Sequence, residues 1–141
     1  MENVTILPPD YRPSADEEYM NEYQLEYFRQ KLLNWKKSLL SQSKDTLDEL
    51  KLGGLNQPDQ IDRASMETDK SLELRTRDRA RKLISKIDEA LKRIEDGVYG
   101  YCEETGEPIG IERLDVRPVA TLSIEAQERH ERMEKTYDDE A

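Results

Sequence analysis

The chain has 141 residues, of which 38% are charged, and its formal net charge is −10 at pH 7. This length corresponds to one domain, with an extended module at most. The excess of 32 acidic over 22 basic side chains argues against nucleic-acid binding by the chain alone, because phosphate contacts need Lys and Arg. One cysteine excludes an internal disulfide, and no apolar stretch is long enough to span a membrane, so we expect a cytoplasmic protein.

Shifts in composition along the chain predict four segments. Prolines near the N-terminus indicate a flexible tail, a long charged and leucine-bearing stretch indicates paired helices, and a stretch rich in Gly and Pro precedes one more helix. The predicted segments are an N-terminal tail at residues 1–17, a coiled-coil hairpin at 18–98 with its tip at about 52–64, a knuckle at 99–122, and a C-terminal helix and tail at 123–141.

The first arm of the hairpin, at about residues 18–51, has no proline and repeats apolar side chains three and four positions apart. This spacing predicts one buried face of a helix, and Ser14 or Asp16 is expected to cap its N-terminus. The predicted stripe comprises Leu25, Phe28, Leu32, Trp35 and Leu39, and then shifts by one position to Leu40, Leu47 and Leu50.

The tip of the hairpin combines a glycine pair with two carboxylates. Gly53 and Gly54 favour a chain reversal, because glycine adopts positive φ at low cost. Asp59 is placed to cap the second arm, and Asp62 would interact favourably with the helix dipole in the first turn. Helix capping alone is a sufficient reason for both carboxylates.

The second arm, at about residues 60–96, carries the clearer apolar periodicity. Two such stripes predict an antiparallel pair of helices, and arms of this length at about 1.5 Å per residue make a rod of roughly 50 Å. Asp96 and Gly97 are expected to end the arm, since glycine commonly follows a helix terminus. The stripe comprises Ala80, Ile84, Ile87, Leu91, Ile94 and Val98.

The knuckle contains several helix-breaking residues, interleaved with side chains that suit short strands or turns. A short helix is expected from Ser123, as its cap, to Tyr137, with fraying from Asp138 to Ala141. The fold class predicted for the whole chain is all-α: a long antiparallel coiled-coil hairpin on a small base, with a zinc-finger-like, metal-free knuckle and a C-terminal helix. The breaking residues are Gly100, Gly106, Pro108, Gly110 and Pro118, and the strand-like ones are Tyr99, Tyr101, Ile109, Ile111 and Val116.

The knuckle has the spacing of a four-ligand zinc site but not its ligands. Cys102 is followed three positions later by Thr105, and Ser123 is followed at the same spacing by Ala126. A closed tetrahedral site needs four thiolate or imidazole ligands, and adding His130 to one cysteine does not supply them. We therefore expect a knuckle that is held by packing and contains no zinc.

Three basic side chains of the second arm, Arg79, Lys82 and Lys86, share one helix face. A solvated face is the simpler interpretation. The alternative is an anion site, in which these cations and Arg117 hold phosphates by charge-assisted hydrogen bonds.

Four blocks of the sequence, in the same order, resemble the DksA/TraR family of bacterial transcription regulators, in particular its cysteine-poor, zinc-independent branch. The resemblance runs from about residue 18 to 135. Its blocks are Glu18-Tyr19-Met20-Asn21-Glu22; the tip Asp59-x-x-Asp62-x-Ala64; Leu72-Glu73-Leu74-Arg75-Thr76-Arg77-Asp78-Arg79; and Gly100-Tyr101-Cys102-Glu103-Glu104-Thr105-Gly106 with Ile109-Gly110-Ile111-Glu112-Arg113-Leu114 and Arg117-Pro118.

The resemblance implies that the rod enters the secondary channel of RNA polymerase and modulates initiation in the stringent response. Asp59, Asp62 and Ala64 would then lie near the active centre, and Arg113 would contact the rim of the polymerase. It also implies that guanosine tetraphosphate acts as effector at the junction with the polymerase, although Gln127 replaces a lysine found in several members. The positions that match the effector site are Arg79, Lys82, Leu83, Lys86, Arg117 and Ile124.

Two other functions remain open on the sequence. One is a Gre-like cofactor of transcript cleavage, in which the acidic tip holds a second magnesium ion. The other is an architectural adaptor that uses the rod only for pairing. Catalysis by the chain alone is not expected, because no nucleophile–base pair or phosphate-binding glycine loop is present. We expect a monomer that has no intrinsic cofactor, binds no membrane and does not read DNA sequence directly.

Overall fold

The structure is a computed structural model that describes residues 5–56 and 63–140. It contains four helices: α1 (Glu22–Asn56), α2 (Arg63–Asp96), α3 (Ile111–Val116) and α4 (Ile124–Glu140). Across these residues the β pairing is limited to an isolated antiparallel bridge between Tyr101 and Pro108. The predicted all-α fold class, with its helical hairpin, is confirmed. None of the helices in the described ranges is long and apolar enough to cross a membrane.

The helices contribute to two compact units. One, called here the terminal unit, runs up to Leu32 and resumes at Glu89. The other, the central unit, is the stretch Leu33–Asp88. Both α1 and α2 therefore supply one part to each unit.

The terminal unit holds the densest core. Phe28 and Leu32 of α1 are fully buried, as is Leu114 of α3. The ring of Tyr99 lies 5.7 Å from that of Phe28, and its hydroxyl donates a hydrogen bond to the Pro118 carbonyl at 2.8 Å. Burying each large apolar side chain contributes about 1.5–3 kcal/mol, so this small cluster is the main source of stability for the unit.

The start of α1 differs from the prediction, which placed a cap at Ser14 or Asp16. The helix begins at Glu22, and the Asn21 side chain accepts a hydrogen bond from the Gln24 backbone N–H at 2.8 Å. Gln24 is fully buried, and its side-chain oxygen accepts from the Met20 N–H at 2.7 Å. This reciprocal arrangement resembles a capping box and fixes the helix start at Asn21.

The segment before α1 packs against that helix through a tyrosine cluster. The Tyr11 hydroxyl donates to the Glu17 carboxylate at 2.6 Å. The Tyr11 ring lies 5.9 Å from that of Tyr23 and 6.3 Å from that of Tyr27. The hydrogen bond from Tyr11, supported by one from Gln24, lowers the pKa of Glu17. The described part of the predicted tail is thus attached to the terminal unit.

In the central unit, α1 and α2 pack as the predicted antiparallel pair. The Lys36 ammonium group lies 2.7 Å from the Asp88 carboxylate, which shows the register between the helices. The apolar stripes of the two helices face each other, but their side chains are less completely buried than those of the terminal unit. Ile87 is fully buried, while the half-buried side chains are Trp35, Leu39, Ala80, Leu83 and Ile84.

Three predictions about the arms were wrong. Gly53 and Gly54 do not reverse the chain, because α1 continues through them to Asn56. Leu40 is 54% exposed, since a shift of one position turns its side chain out of the buried face; Leu47 and Leu50 lie outside the described side chains. Val98 is 52% exposed because α2 ends at Asp96 and Gly97 turns the chain with φ 77°.

The knuckle contains a helix where strands or turns were expected. Ile111 and Val116 belong to α3, although both are β-branched. Gly110, at φ 105°, leads the chain into this helix, and burial of Leu114 holds it against the core. Tertiary packing thus overrides β propensity here. The predicted end of α2 at Asp96 is confirmed.

The Ser123 cap of the C-terminal helix is also confirmed, because its hydroxyl accepts from the Ala126 N–H at 3.2 Å. The helix runs to Glu140, three residues beyond the predicted end.

Candidate functional site

Asp59 and Asp62 lie outside the described residues, and Ala64 belongs to the first turn of α2 by its backbone. Their predicted role at the polymerase active centre stays a prediction.

The basic face of α2 is solvent-exposed, as the spacing predicted. Arg79, Lys82 and Lys86 are all exposed, whereas Leu83 is half-buried against α1. Arg79 and Leu83 line one groove of about 190 Å³ in the central unit, together with Leu39 and Thr76. Cations on an exposed helix face are available to a phosphate, and the apolar floor beside Arg79 suits the non-phosphate part of a nucleotide.

The remaining effector positions belong to the terminal unit. Arg117 is exposed and caps α3 with its backbone N–H, which donates to the Arg113 carbonyl at 2.8 Å. Ile124 opens α4 and is 54% exposed. Gln127 is half-buried, and its amide donates to the Glu131 carboxylate at 3.2 Å. The amide nitrogen has a second N–H donor, so Gln127 can keep this bond while it contacts a ligand.

Arg113, the predicted rim contact, also has a structural bond. Its Nε donates to the Leu122 carbonyl at 3.0 Å and so connects α3 to the segment before α4. A guanidinium group has five N–H donors, so a contact with a partner and this internal bond are compatible.

The degenerate finger positions form a hydrogen-bonded sulfur site. Cys102 is 3% exposed, and burial by itself would raise the pKa of its thiol. Hydrogen bonds from the Thr105 hydroxyl and from the backbone N–H groups of Ser123, Thr105 and Glu104 outweigh burial and lower the pKa to about 6. Hydrogen bonds of this kind favour the thiolate over the neutral thiol.

The same residues do not fit a zinc ion. The hydroxyl oxygens of Thr105 and Ser123 accept hydrogen bonds from nearby backbone N–H groups. Ala126 is fully buried and has no side-chain atom that can bind a metal. Within the described residues no group of three or more His, Cys, Asp or Glu side chains is placed to hold a metal ion. Cys102 alone cannot form the four-ligand site that structural zinc requires.

Three polar contacts that the sequence did not predict join separate elements of the terminal unit. The Asp115 carboxylate of α3 accepts from the Lys31 ammonium group at 2.6 Å and from the Tyr27 hydroxyl at 2.8 Å. These bonds, that of Lys31 foremost, lower the pKa of Asp115. His130 of α4 contacts the Glu104 carboxylate, which connects this helix to the knuckle. The spacing of Tyr27 and Lys31 shows a shared helix face, but nothing local identifies Asp115 as their partner.

Two family profiles match successive parts of the chain. Residues 24–94 match the profile described as DnaK suppressor protein DksA, N-terminal domain, and residues 97–132 match the prokaryotic dksA/traR C4-type zinc finger. The finger profile therefore matches this chain although three of its four ligand positions are occupied by Thr, Ser and Ala.

Relatives extend the likeness over the whole chain. The RNA polymerase-binding transcription factor DksA of Caulobacter vibrioides (strain NA1000 / CB15N) is 61% identical over 142 residues, which cover 99% of this chain and 100% of that protein. The factor of the same name from Escherichia coli (strain K12) is 46% identical over 125 residues, covering 89% and 83%.

A solved structure has the same fold. The structure of transcription factor DksA2 from Pseudomonas aeruginosa superposes with a TM-score of 0.76 at 44% identity, and the match covers 88% of this chain and 94% of that one. The family profiles, the near-complete coverage of the relatives and this fold agree, and the chain belongs to the DksA/TraR family.

Proposed function

We propose that this chain is a bacterial transcription regulator that binds RNA polymerase and modulates initiation. The observation that carries the proposal is the 61% identity, over 99% of the chain, to a relative named as an RNA polymerase-binding transcription factor. The proposal includes no catalysis by the chain itself, which acts in the cytoplasm as a monomer and does not read DNA sequence directly.

In this proposal the hairpin enters the secondary channel of the polymerase and its tip acts near the active centre. Asp59 and Asp62 supply negative charge there, and Ala64 keeps the tip slim. Two carboxylates next to an active centre can interact with bound magnesium or with nearby basic groups by Coulomb forces, which are strong where water is excluded. Arg113 contacts the rim of the polymerase while its Nε bond to Leu122 holds its stem in place.

The effector in this proposal is guanosine tetraphosphate, bound where the chain meets the polymerase. Arg79, Lys82 and Lys86 contribute exposed cations from α2, and Arg117 contributes another. Leu83 and Ile124 contribute apolar contact. Support comes from the exposure of the four cations and from the groove beside Arg79. The Gln127 amide, bonded to Glu131, weakens the site relative to a lysine.

The knuckle performs its role without zinc. The hydrogen bonds around the Cys102 sulfur and the burial of Leu114, Tyr99 and Ala126 hold it together in the way that a metal would otherwise do. The terminal unit is then independent of the zinc supply of the cell.

Binding and regulation are tested separately. The full chain is expected to co-purify with RNA polymerase and to alter single-round initiation at a promoter whose open complex is short-lived. Absence of binding would refute the proposed function. Cleavage of the transcript in backtracked complexes, with no effect on initiation, would replace it by the Gre-like alternative.

A further inference from the structure

A second, larger groove of the central unit is not used in the proposed function. Its volume is about 560 Å³, and both helices line it. This volume falls within the range of about 300–1,000 Å³ that is typical of small-ligand sites. The side chains that decide its chemistry are Leu40, Ala80, Ile84, Lys44, Arg77 and Arg81.

The groove has an apolar end and a cationic end. Leu40 of α1 and Ile84 of α2 line the groove at its apolar end. Leu40 is 54% exposed, so this end offers apolar surface to a ligand. Lys44 lies one turn further along α1 and lines the same groove as Arg77 and Arg81 of α2.

Positive charge is concentrated at the cationic end. Lys44, Arg77 and Arg81 are opposed by a single carboxylate of the lining, that of Asp48, in a chain whose formal net charge is −10. Arg77 and Arg81 also stand four positions apart on α2, where like charges repel and destabilise a helix slightly. Within the lining, three cations therefore stand against one carboxylate, while Glu73 and Asp78 pair with the two arginines from positions outside the lining.

Among the described side chains, the two arginines pair with carboxylates of their own helix. Arg77 lies 2.8 Å from Glu73, and Arg81 lies 2.5 Å from Asp78. The arginine side chains are 53% and 79% exposed, and pairs of this kind contribute little because water screens them. A phosphate group forms stronger, bidentate bonds with guanidinium groups and can displace such partners.

We propose that this groove binds a phosphate-bearing ligand of nucleotide size, with its phosphates among Lys44, Arg77 and Arg81 and its less polar body over Leu40 and Ile84. The groove volume of about 560 Å³ is that of a small-ligand site. A protein partner would typically need about 800 Å² of buried surface on each side. Backbone N–H groups are engaged within α1 and α2 here, so side chains alone hold the phosphates and salt weakens binding. Arg79 and Leu83 line the other groove, which adjoins this one at Ser43 and Ala80, so the two sites use different cations.

The test uses the full chain without polymerase, so that its result does not depend on the proposed function. Binding of ATP, inorganic triphosphate and adenosine is measured by calorimetry at low salt without divalent cations. ATP is expected to bind saturably and more tightly than inorganic triphosphate, because only ATP contacts the apolar end. Adenosine is expected to show no saturable binding.

Variants locate the site. Arg77→Gln and Arg81→Gln are each expected to weaken ATP binding about tenfold or more, as loss of a charge-assisted hydrogen bond does. Arg75→Gln removes the same charge from an exposed position of α2 that does not line the groove, and is the matched control. Circular dichroism checks that all three variants keep the helical signal.

Three results would overturn the proposal. One is an equal loss of ATP affinity in Arg75→Gln and in the two groove variants. Another is equal affinity for ATP and inorganic triphosphate, which would leave the apolar end without a role. The third is an acidic, leucine-bearing peptide that displaces ATP and binds more tightly, since it would assign the groove to a protein partner.

Discussion

The lowered pKa of the Cys102 thiol predicts how its contribution to the free energy of unfolding changes with pH. The pKa of this thiol is about 6 in the folded protein, because hydrogen bonds outweigh burial, and about 8.5 in an unfolded chain. A group with a lowered pKa stabilises the fold above its unfolded pKa, and this contribution is lost as the pH falls through the folded pKa. The contribution of Cys102 to the free energy of unfolding should therefore rise between pH 6 and pH 8.5.

The two pKa values set the size of the effect. The linkage relation gives on the order of 1 kcal/mol from Cys102 at pH 7 and roughly 3 kcal/mol at pH 8.5, against almost none at pH 5.5. Cys102→Ser keeps a small polar side chain at this position, but a serine hydroxyl does not ionise in this pH range. The variant should lose the pH-dependent part of the stability.

The assay is urea unfolding of the wild type and of Cys102→Ser at pH 5.5, 7 and 8.5, in the presence of a reductant. The difference in unfolding free energy between the two proteins should grow with pH by about 3 kcal/mol over this interval. Ultraviolet absorbance of the thiolate, titrated in the native wild type, provides an independent pKa. A constant difference across the three pH values, or a native pKa above 8, would refute this account of the sulfur site.

Three further predictions follow from the site and the knuckle. Excess EDTA should leave the helical signal and the melting temperature unchanged, and elemental analysis should find far less than one zinc per chain; a stoichiometric zinc would contradict the hydrogen-bonded sulfur. Lys86→Ala and Arg117→Ala should each weaken the transcriptional response to guanosine tetraphosphate about tenfold or more while polymerase binding persists, and an unchanged response in both would move the effector site elsewhere. Gly100→Ala should cost more in thermal denaturation than Gly106→Ala: both have positive φ, with a strain of about 1–3 kcal/mol, but only at Gly100 would a Cβ meet Met20 atoms at 2.9 Å. Equal losses would show that this contact relaxes freely.

The helices were predictable because their apolar spacing is a local property of the sequence. Phe28, Leu32 and Ile87 are buried as their positions in the stripes require. The Ser123 cap and the end of α2 at Asp96 were also local signals, and both are found.

Several of the misses depended on contacts between residues distant in sequence, or on side chains that compete for the same role. Gln24 places the cap at Asn21 because its buried amide bonds to the segment before α1. The helix α3 forms because Leu114 is buried in a core supplied by other segments. The partnership of Asp115 with Tyr27 and Lys31 links positions more than 80 residues apart, which no spacing rule reveals.

At the finger positions, the sequence predicts the absence of zinc but not the hydrogen bonds that replace it. Thr105 and Ala126 in ligand positions already argue against zinc. The Cys102 sulfur also accepts hydrogen bonds from the backbone N–H groups of Thr105, Ser123 and Glu104. These bonds depend on the fold of the loop, so no sequence pattern predicts them.

The central claim, that the tip carboxylates act on the polymerase, is tested most directly by the double variant Asp59→Asn, Asp62→Asn in single-round initiation. Asn caps a helix about as well as Asp, and losing the charge near the helix start costs only about 0.3–1 kcal/mol, so the variant should fold. Asp45→Asn, which alters an exposed carboxylate of α1, is the matched control. We predict that the double variant binds polymerase as the wild type does but loses its effect on initiation, while Asp45→Asn keeps it. Full regulatory activity in the double variant would contradict the claim and leave the hairpin as a docking element.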